Sequence, residues 1–259
     1  MIGKNELKNK LLERKSKKQI AKELFVSEPT LRKYIRTFKL ECYYSFSNSK
    51  KQQLANKSVD IDFFKSIDTE EKAYIFGLIL SDGFISNTCL GFTLQEKDKD
   101  VLQKIKITMN SKHKISYKTY TDRQNQNSLL ISSKEIVDDL KTLGVTNNKS
   151  FDAHIPFSKI PSELLRHVVR GIFDGDGSFS QNRPCIATSS LALKDCIIEW
   201  SENNYNYTPS ITVQNNNYRI YFRKPGFKVI CDMYENSNIY MDRKYNTFLS
   251  YREFRIKNQ

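Results

Sequence analysis

Two apolar stretches, 75–83 and 169–177, each end in Asp-Gly, and after each of them the hydrophobic period shifts between that of a helix and that of a strand. Asp68 and Glu71 have the offset of a capping-box helix start ahead of the first stretch, and Ile160-Pro161-Ser162-Glu163 stands in the same place ahead of the second. After the first, 84–85 and 90–94 read as strands, 98–109 as a helix, 115–120 with 128–132 as a hairpin, and 134–143 as a helix. After the second, Phe179 and 185–188 read as strands, 191–203 as a helix, 210–214 with 218–223 as a hairpin around 215–217, and 226–235 as a helix. An αββαββα unit is thus expected twice, its two acids Asp82 and Asp176 standing 94 positions apart.

The N-terminal region patterns differently. Residues 18–24 read as a short helix, 25–27 as a turn and 28–35 as a second helix, with Ser27 as N-cap and Pro29 in the first turn. Ile20, Ala21, Leu24, Val26, Leu31 and Ile35 would close a small core between them. This is the pattern of a helix-turn-helix, whose second helix enters the major groove in known complexes; Thr30, Arg32, Lys33 and Arg36 are the candidate DNA contacts on it. Phe25 stands where the turn usually has Gly, which implies a strained positive φ. A basic hairpin that touches only phosphates, or packs on the rest of the chain, is the alternative. Residues 42–60 are polar and aperiodic and read as a linker. The expected division is 1–41, 42–60, 61–155 and 156–259.

The apolar stretches carry small residues at matched places. Gly77 and Ser81 in one, and Gly171 and Gly175 in the other, fall four apart and so share a helix face. Two such faces can approach until backbones nearly touch, which would bring the terminal aspartates side by side. Like charges at two helix C-termini repel each other and the negative ends of both macrodipoles. A hard divalent cation such as Mg2+, with oxygen ligands and bound waters, would resolve that repulsion.

Charge and composition narrow the partner. The chain has 259 residues and a formal net charge of +13, which favours a polyanion. Residues 1–50 alone hold 13 Lys/Arg against 5 Asp/Glu. No apolar run approaches the ~20 residues of a spanning helix, and Met1 to Glu6 has no signal-peptide pattern, so a cytoplasmic protein away from membranes is expected. Five scattered cysteines without a C-x-x-C pair argue against a zinc site or a disulfide framework.

From about residue 60 onward the chain resembles the LAGLIDADG homing endonucleases in their single-chain, two-motif form. The resemblance implies an α+β fold, a duplicated αββαββα unit with pseudo-two-fold symmetry and an antiparallel DNA-binding saddle, here beside a small all-α helix-turn-helix domain. It implies a monomeric, site-specific double-strand DNA endonuclease that uses Mg2+ and leaves 3' overhangs across the minor groove. Asp82 and Asp176 would hold the metal, with backbone carbonyls at Ser81 and Gly175 beside them. Lys149, 67 positions past Asp82, and Lys244, 68 past Asp176, match the family's phosphate-side lysine. Gln95 and Ser189 match the residues that orient solvent.

A twisted two-stranded ribbon fits the major groove. Its candidate base readers are Lys118, Tyr120, Arg123, Gln124 and Gln126 in the first half, and Gln181, Arg183, Gln214, Asn216, Arg219, Tyr221 and Arg223 in the second. Two rival readings are an RNA-binding intron maturase on the same fold, and a transcription regulator that pairs a helix-turn-helix with an inactive nuclease fold. The presence of both acids and both lysines favours cleavage.

Overall fold

The computed structural model describes residues 2–12, 15–38, 40, 59–147 and 149–258, and the chain divides into two compact units, Met1–Lys57 and Ser58–Gln259. The first contains α1 (Lys4–Leu12), α2 (Lys17–Glu23) and α3 (Glu28–Thr37). Leu7, Leu11, Ile20, Ala21, Leu31, Ile35 and Leu40 form its core, with Leu24 and Val26 partly buried against it. The first helix had no counterpart in the hydrophobic pattern. Ser16 closes a capping box with Gln19, and Ser27 accepts the Thr30 amide. Phe25 holds φ 53° and is 95% exposed, so the strain at this turn position is present. The expected linker lies almost wholly outside the described residues.

The second unit is the duplication. Its first half runs α4 (Glu70–Ser81), β1 (Gly83–Ile85), β2 (Cys89–Gln95), α5 (Lys99–Thr108), β3 (Ile115–Lys118), β4 (Gln126–Ser132) and α6 (Lys134–Thr142). A short helix, α7 (Lys149–Asp152), follows before the second half. That half repeats the order with α8 (Leu165–Asp176), β5 (Gly177–Ser178), β6 (Cys185–Thr188), α9 (Leu191–Tyr205), β7 (Ser210–Gln214), β8 (Asn217–Tyr221) and α10 (Phe227–Tyr234). A last helix, α11 (Asp242–Lys257), was not expected as an element. Both sheets are antiparallel with one strand order, β1-β2-β4-β3 and β5-β6-β8-β7. One hydrophobic core spans both halves, with the α4–α8 pair at its centre.

Four local readings are corrected. Thr69, not Asp68, caps α4: its Oγ1 accepts the Lys72 amide, while Asp68 takes the Lys72 ammonium at 2.8 Å. With Lys72 at the third helical position, no capping box forms. The strand expected at Phe179 lies at Gly177–Ser178, because the chain leaves α8 extended at Gly177 (φ −87°, ψ 165°) and pairs at once with Cys185 and Ile186. The second hairpin turns on Asn215 and Asn216 alone, both at positive φ, and Asn217 already pairs with Gln214. Two consecutive left-handed residues make the primed turn whose twist suits a hairpin. Its inner strand, β8, which pairs with both β6 and β7, stops at Tyr221, so Phe222 and Arg223 lie outside it. Among the described residues no helix is long and apolar enough to cross a membrane, and Cys89, Cys185, Cys196 and Cys231 are free thiols.

Candidate functional site

The site begins where α4 and α8 touch. A β-carbon on Gly77 would fall 2.0 Å from the Val168 carbonyl oxygen, and one on Gly171 would fall 2.1 Å from that of Tyr74. No side chain fits there, so main chain packs on main chain. One turn further on, a β-carbon on Gly175 would lie 2.1 Å from Ser81 Oγ and 3.0 Å from Asp82 Oδ2. The seam therefore delivers the ends of both helices, with Asp82 as C-cap of α4 and Asp176 as last residue of α8, to one place.

Buried polar groups lock this seam. Asp174, fully buried, accepts from Tyr74 Oη at 2.7 Å, Tyr234 Oη at 2.5 Å and the Met241 amide at 2.7 Å. Burial pushes its carboxyl up while the three donors pull it down. Arg170, also fully buried, donates to Glu70 at 2.7 Å, to the Met233 and Ile239 carbonyls at 2.7 and 3.1 Å, and to His167 Nδ1 at 2.6 Å. His167 is driven down to about 3 by burial and by the Arg170 and Arg166 guanidiniums, so its neutral ring can accept that bond.

The electrostatics at the helix ends match the geometry. Burial raises Asp82, with Lys149 and Lys244 acting in the opposite sense. Asp176 is pushed up to about 6 by burial and then by the charge of Asp82, again opposed by both lysines. Its edge stays exposed to water, but the like charge of Asp82 holds the upward direction. Lys149, at the start of α7, donates to the Leu80 carbonyl at 3.3 Å and to that of Ser81. Lys244, in the first turn of α11 and 5% exposed, donates to the Gly177 carbonyl. Burial lowers both ammonium groups.

Ser81, Lys149, Asp176, Ser189 and Asn217 line a cavity of about 250 Å3. Asn217 Nδ2 donates to Ser189 Oγ at 3.3 Å. Ser189 thus joins the cluster. Gln95 does not bond to it: it ends β2 opposite Gln126, exposed. Three residues on, the buried Asp98 accepts Arg243 Nε at 2.7 Å and Nη2 at 3.0 Å, and its charge acts on Asp82 and Lys244. Asp98 thus bears electrostatically on both an acid and a lysine of the centre.

Strand alternation sorts the remaining candidates. Gln95, Gln126 and Lys118 share one face of the first sheet with Thr93 and Ser128, whose hydroxyls lie 3.0 Å apart. Gln214, Arg219 and Tyr221 share one face of the second with Thr212 and Asn217. Tyr120, Arg123 and Gln124 lie in the β3–β4 connection, where the Arg123 guanidinium stacks 3.9 Å from the Tyr120 ring. Asn216 is exposed in the second hairpin turn, and Gln181, Arg183 and Arg223 lie in loops at the edge of that sheet. In α3, Thr30, Arg32, Lys33 and Arg36 are all exposed, with Arg32 paired to Glu28 at 2.6 Å.

The sequence reading missed Asp98, Asn217, and the buried Arg170 and Asp174. The last two stand four apart inside an otherwise apolar stretch, a readable sign of an internal polar network.

The family model described as WhiA LAGLIDADG-like domain matches residues 71–152 and 165–234. Among solved structures, the homing endonuclease I-WcaI bound to its DNA recognition sequence aligns at 15% identity over 76% of this chain and 93% of that one, with a TM-score of 0.56. I-DmoI in complex with DNA and Ca aligns at 13% identity over 74% and 99%, with a TM-score of 0.52. At these identities the likeness is one of fold. Comparison with curated proteins finds no match.

Proposed function

The chain belongs to the WhiA LAGLIDADG-like domain family, and we propose that it binds double-stranded DNA along the open faces of its two sheets and hydrolyses both strands at the seam. The convergence of Asp82 and Asp176 with Lys149 and Lys244 carries this reading.

The donor set suits Mg2+. Among the described residues no group of three or more His, Cys, Asp or Glu side chains could hold a metal ion, and Mg2+ asks for only one or two carboxylates, the rest being waters and other oxygens. Two mutually repelling carboxylates beside main-chain carbonyls meet that demand. Asp82 and Asp176 would hold the ion, with the Gly175 and Ser81 carbonyls beside them; the Ser81 oxygen already accepts from Lys149 and keeps one lone pair. A bound Mg2+ supplies an activated water and neutralises charge on the phosphate. The protein's own residues do the rest. Lys149 and Lys244, fixed on carbonyls beside the two acids, face one strand each and stabilise the charge that develops there. Ser189 and Asn217 orient solvent against Asp176, and the polar sheet faces set register on the duplex. α3, with its exposed Arg32, Lys33 and Arg36, would add DNA contacts of its own as a single chain acts.

DNA binding without cleavage is the second reading, favoured by the WhiA-like character of the matched family. One experiment separates them. The full chain is incubated with Mg2+ and a plasmid carrying the DNA that flanks its gene. Cleavage predicts linear product, lost in EDTA and in Asp82→Asn or Asp176→Asn. Retarded but intact plasmid in every lane supports the second reading.

A further inference from the structure

A second cleft is lined by neither Asp82 nor Asp176. It holds about 570 Å3, inside the range of about 300–1,000 Å3 that accommodates small-molecule ligands. Four cations line it, Arg183, Arg223, Lys224 and Arg255, and no acid does. The Tyr251 and Phe254 rings of α11 supply its apolar wall, Phe254 being 42% exposed.

These cations are not consumed by the fold. Among the described residues the Arg183 and Lys224 side chains make no hydrogen bond or ion pair, and the buried Arg255 Nε has no hydrogen-bond partner. Arg255 instead lies with its guanidinium 5.7 Å from the Phe227 ring and Nη2 3.5 Å from the Lys224 carbonyl. Arg223 is fixed by Ser210 Oγ, which accepts its Nε at 2.7 Å. At the rim, Gln181 and Asn182 hold left-handed backbone at φ 52° and 56°, a strain the surrounding loop must sustain.

Unneutralised guanidiniums recognise phosphate, and open aromatic faces stack on bases. A cleft that offers both, with room well beyond a phosphate alone, suits an aromatic anion. We propose that this cleft binds a single unstacked nucleotide, its base against the exposed Phe254 ring and its phosphate among Arg183, Lys224 and Arg255. Tyr221 ends β8 on the open face of the second sheet and also lines the cleft, so a nucleotide turned out of a duplex on that face would have a way in. That source rests on the DNA-binding reading above; a free mononucleotide does not.

The test uses the full chain and dAMP, followed by NMR titration. Saturable binding with a Kd of about 1 mM or tighter, weakened at least tenfold in Phe254→Ala and in Arg183→Ala/Lys224→Ala and not displaced by equimolar inorganic phosphate, supports the proposal. No saturable binding overturns it. So does binding that Phe254→Ala leaves unchanged or that phosphate displaces, since the cleft is then an anion site. A second arm places 2-aminopurine in a duplex carrying a mismatch. A fluorescence rise with the native chain and none with Phe254→Ala supports the extrahelical source; dAMP binding without that rise supports the free nucleotide. Duplex retardation measured alongside keeps the two conclusions apart, because a chain that retards duplex yet ignores dAMP loses only this proposal.

Discussion

Gly175 lies against Asp82, so closely that a single β-carbon at residue 175 would come within 3.0 Å of Oδ2 and 2.1 Å of the neighbouring Ser81 Oγ. One side of the seam carries the hydroxymethyl group and the other must be bare. Gly175→Ser is therefore expected to displace Asp82 and cut DNA cleavage at least about tenfold, and adding Ser81→Gly to it is expected to restore most of the rate. A double-mutant cycle on cleavage reads the coupling; additive losses would separate the two positions.

At Gly77 and Gly171 there is no side chain to give way, because an added methyl meets a carbonyl oxygen of the facing helix. Gly77→Ala and Gly171→Ala should each cost about 3 kcal/mol of stability. Gly91→Ala is the control. The nearest atoms to its methyl belong to the ring of Phe84, 2.2 Å away but on a residue 41% exposed whose side chain can swing aside, so a change within about 0.5 kcal/mol is expected. Urea midpoints of the three variants check the order.

Asp176 titrates near 6 in the folded chain against an ordinary 3.8. Between those values the folded state holds a proton the unfolded chain has released. Stability therefore falls as pH rises from about 4 to about 6, and stays lower above it. Asp176→Asn should flatten that fall, seen as unfolding midpoints in EDTA that no longer drop across the interval. Cation affinity runs the other way, since the ion needs the deprotonated carboxylate; calorimetric Mg2+ binding should weaken as pH drops below about 6.

The two lysines serve different helix ends, Lys149 on the Ser81 carbonyl and Lys244 on that of Gly177. Lys149→Met and Lys244→Met should each slow one strand by about a hundredfold to a thousandfold and spare the other. Nicked circles would then accumulate from supercoiled plasmid, and strand-specific end labels would show opposite nicks for the two variants. Equal slowing of both strands would place both lysines on one reaction.

Asp174 supports the seam without facing the cavity of about 250 Å3. Asp174→Ala leaves two tyrosine hydroxyls and one amide without their acceptor, at a cost of about 3 kcal/mol or more. Chemical unfolding measures it, and a loss under about 1 kcal/mol would mean that water replaces the carboxylate.

Much of this was legible in the residues because helix packing at contact distance admits so few side chains. The Gly-x-x-x-Ser and Gly-x-x-x-Gly spacings announced the seam, and strand alternation announced the two sheets in order. Boundaries failed where a local competitor decided them: Thr69 over Asp68 at a helix start, and the primed turn that drew Asn217 into a strand. Asp98 went unseen because its place depends on Arg243, 145 positions away. α11 went unseen because polar residues mask its buried stripe of Lys244, Phe248 and Tyr251. Long-range pairings of that kind leave no local period.

Peptide groups, unlike side chains, are the same whatever the codon. Where helix meets helix at residues 77 and 171, the distance between the two halves is set by atoms that substitution can crowd but never exchange. The spacing of the two acids is thus independent of which side chains the two sheets carry.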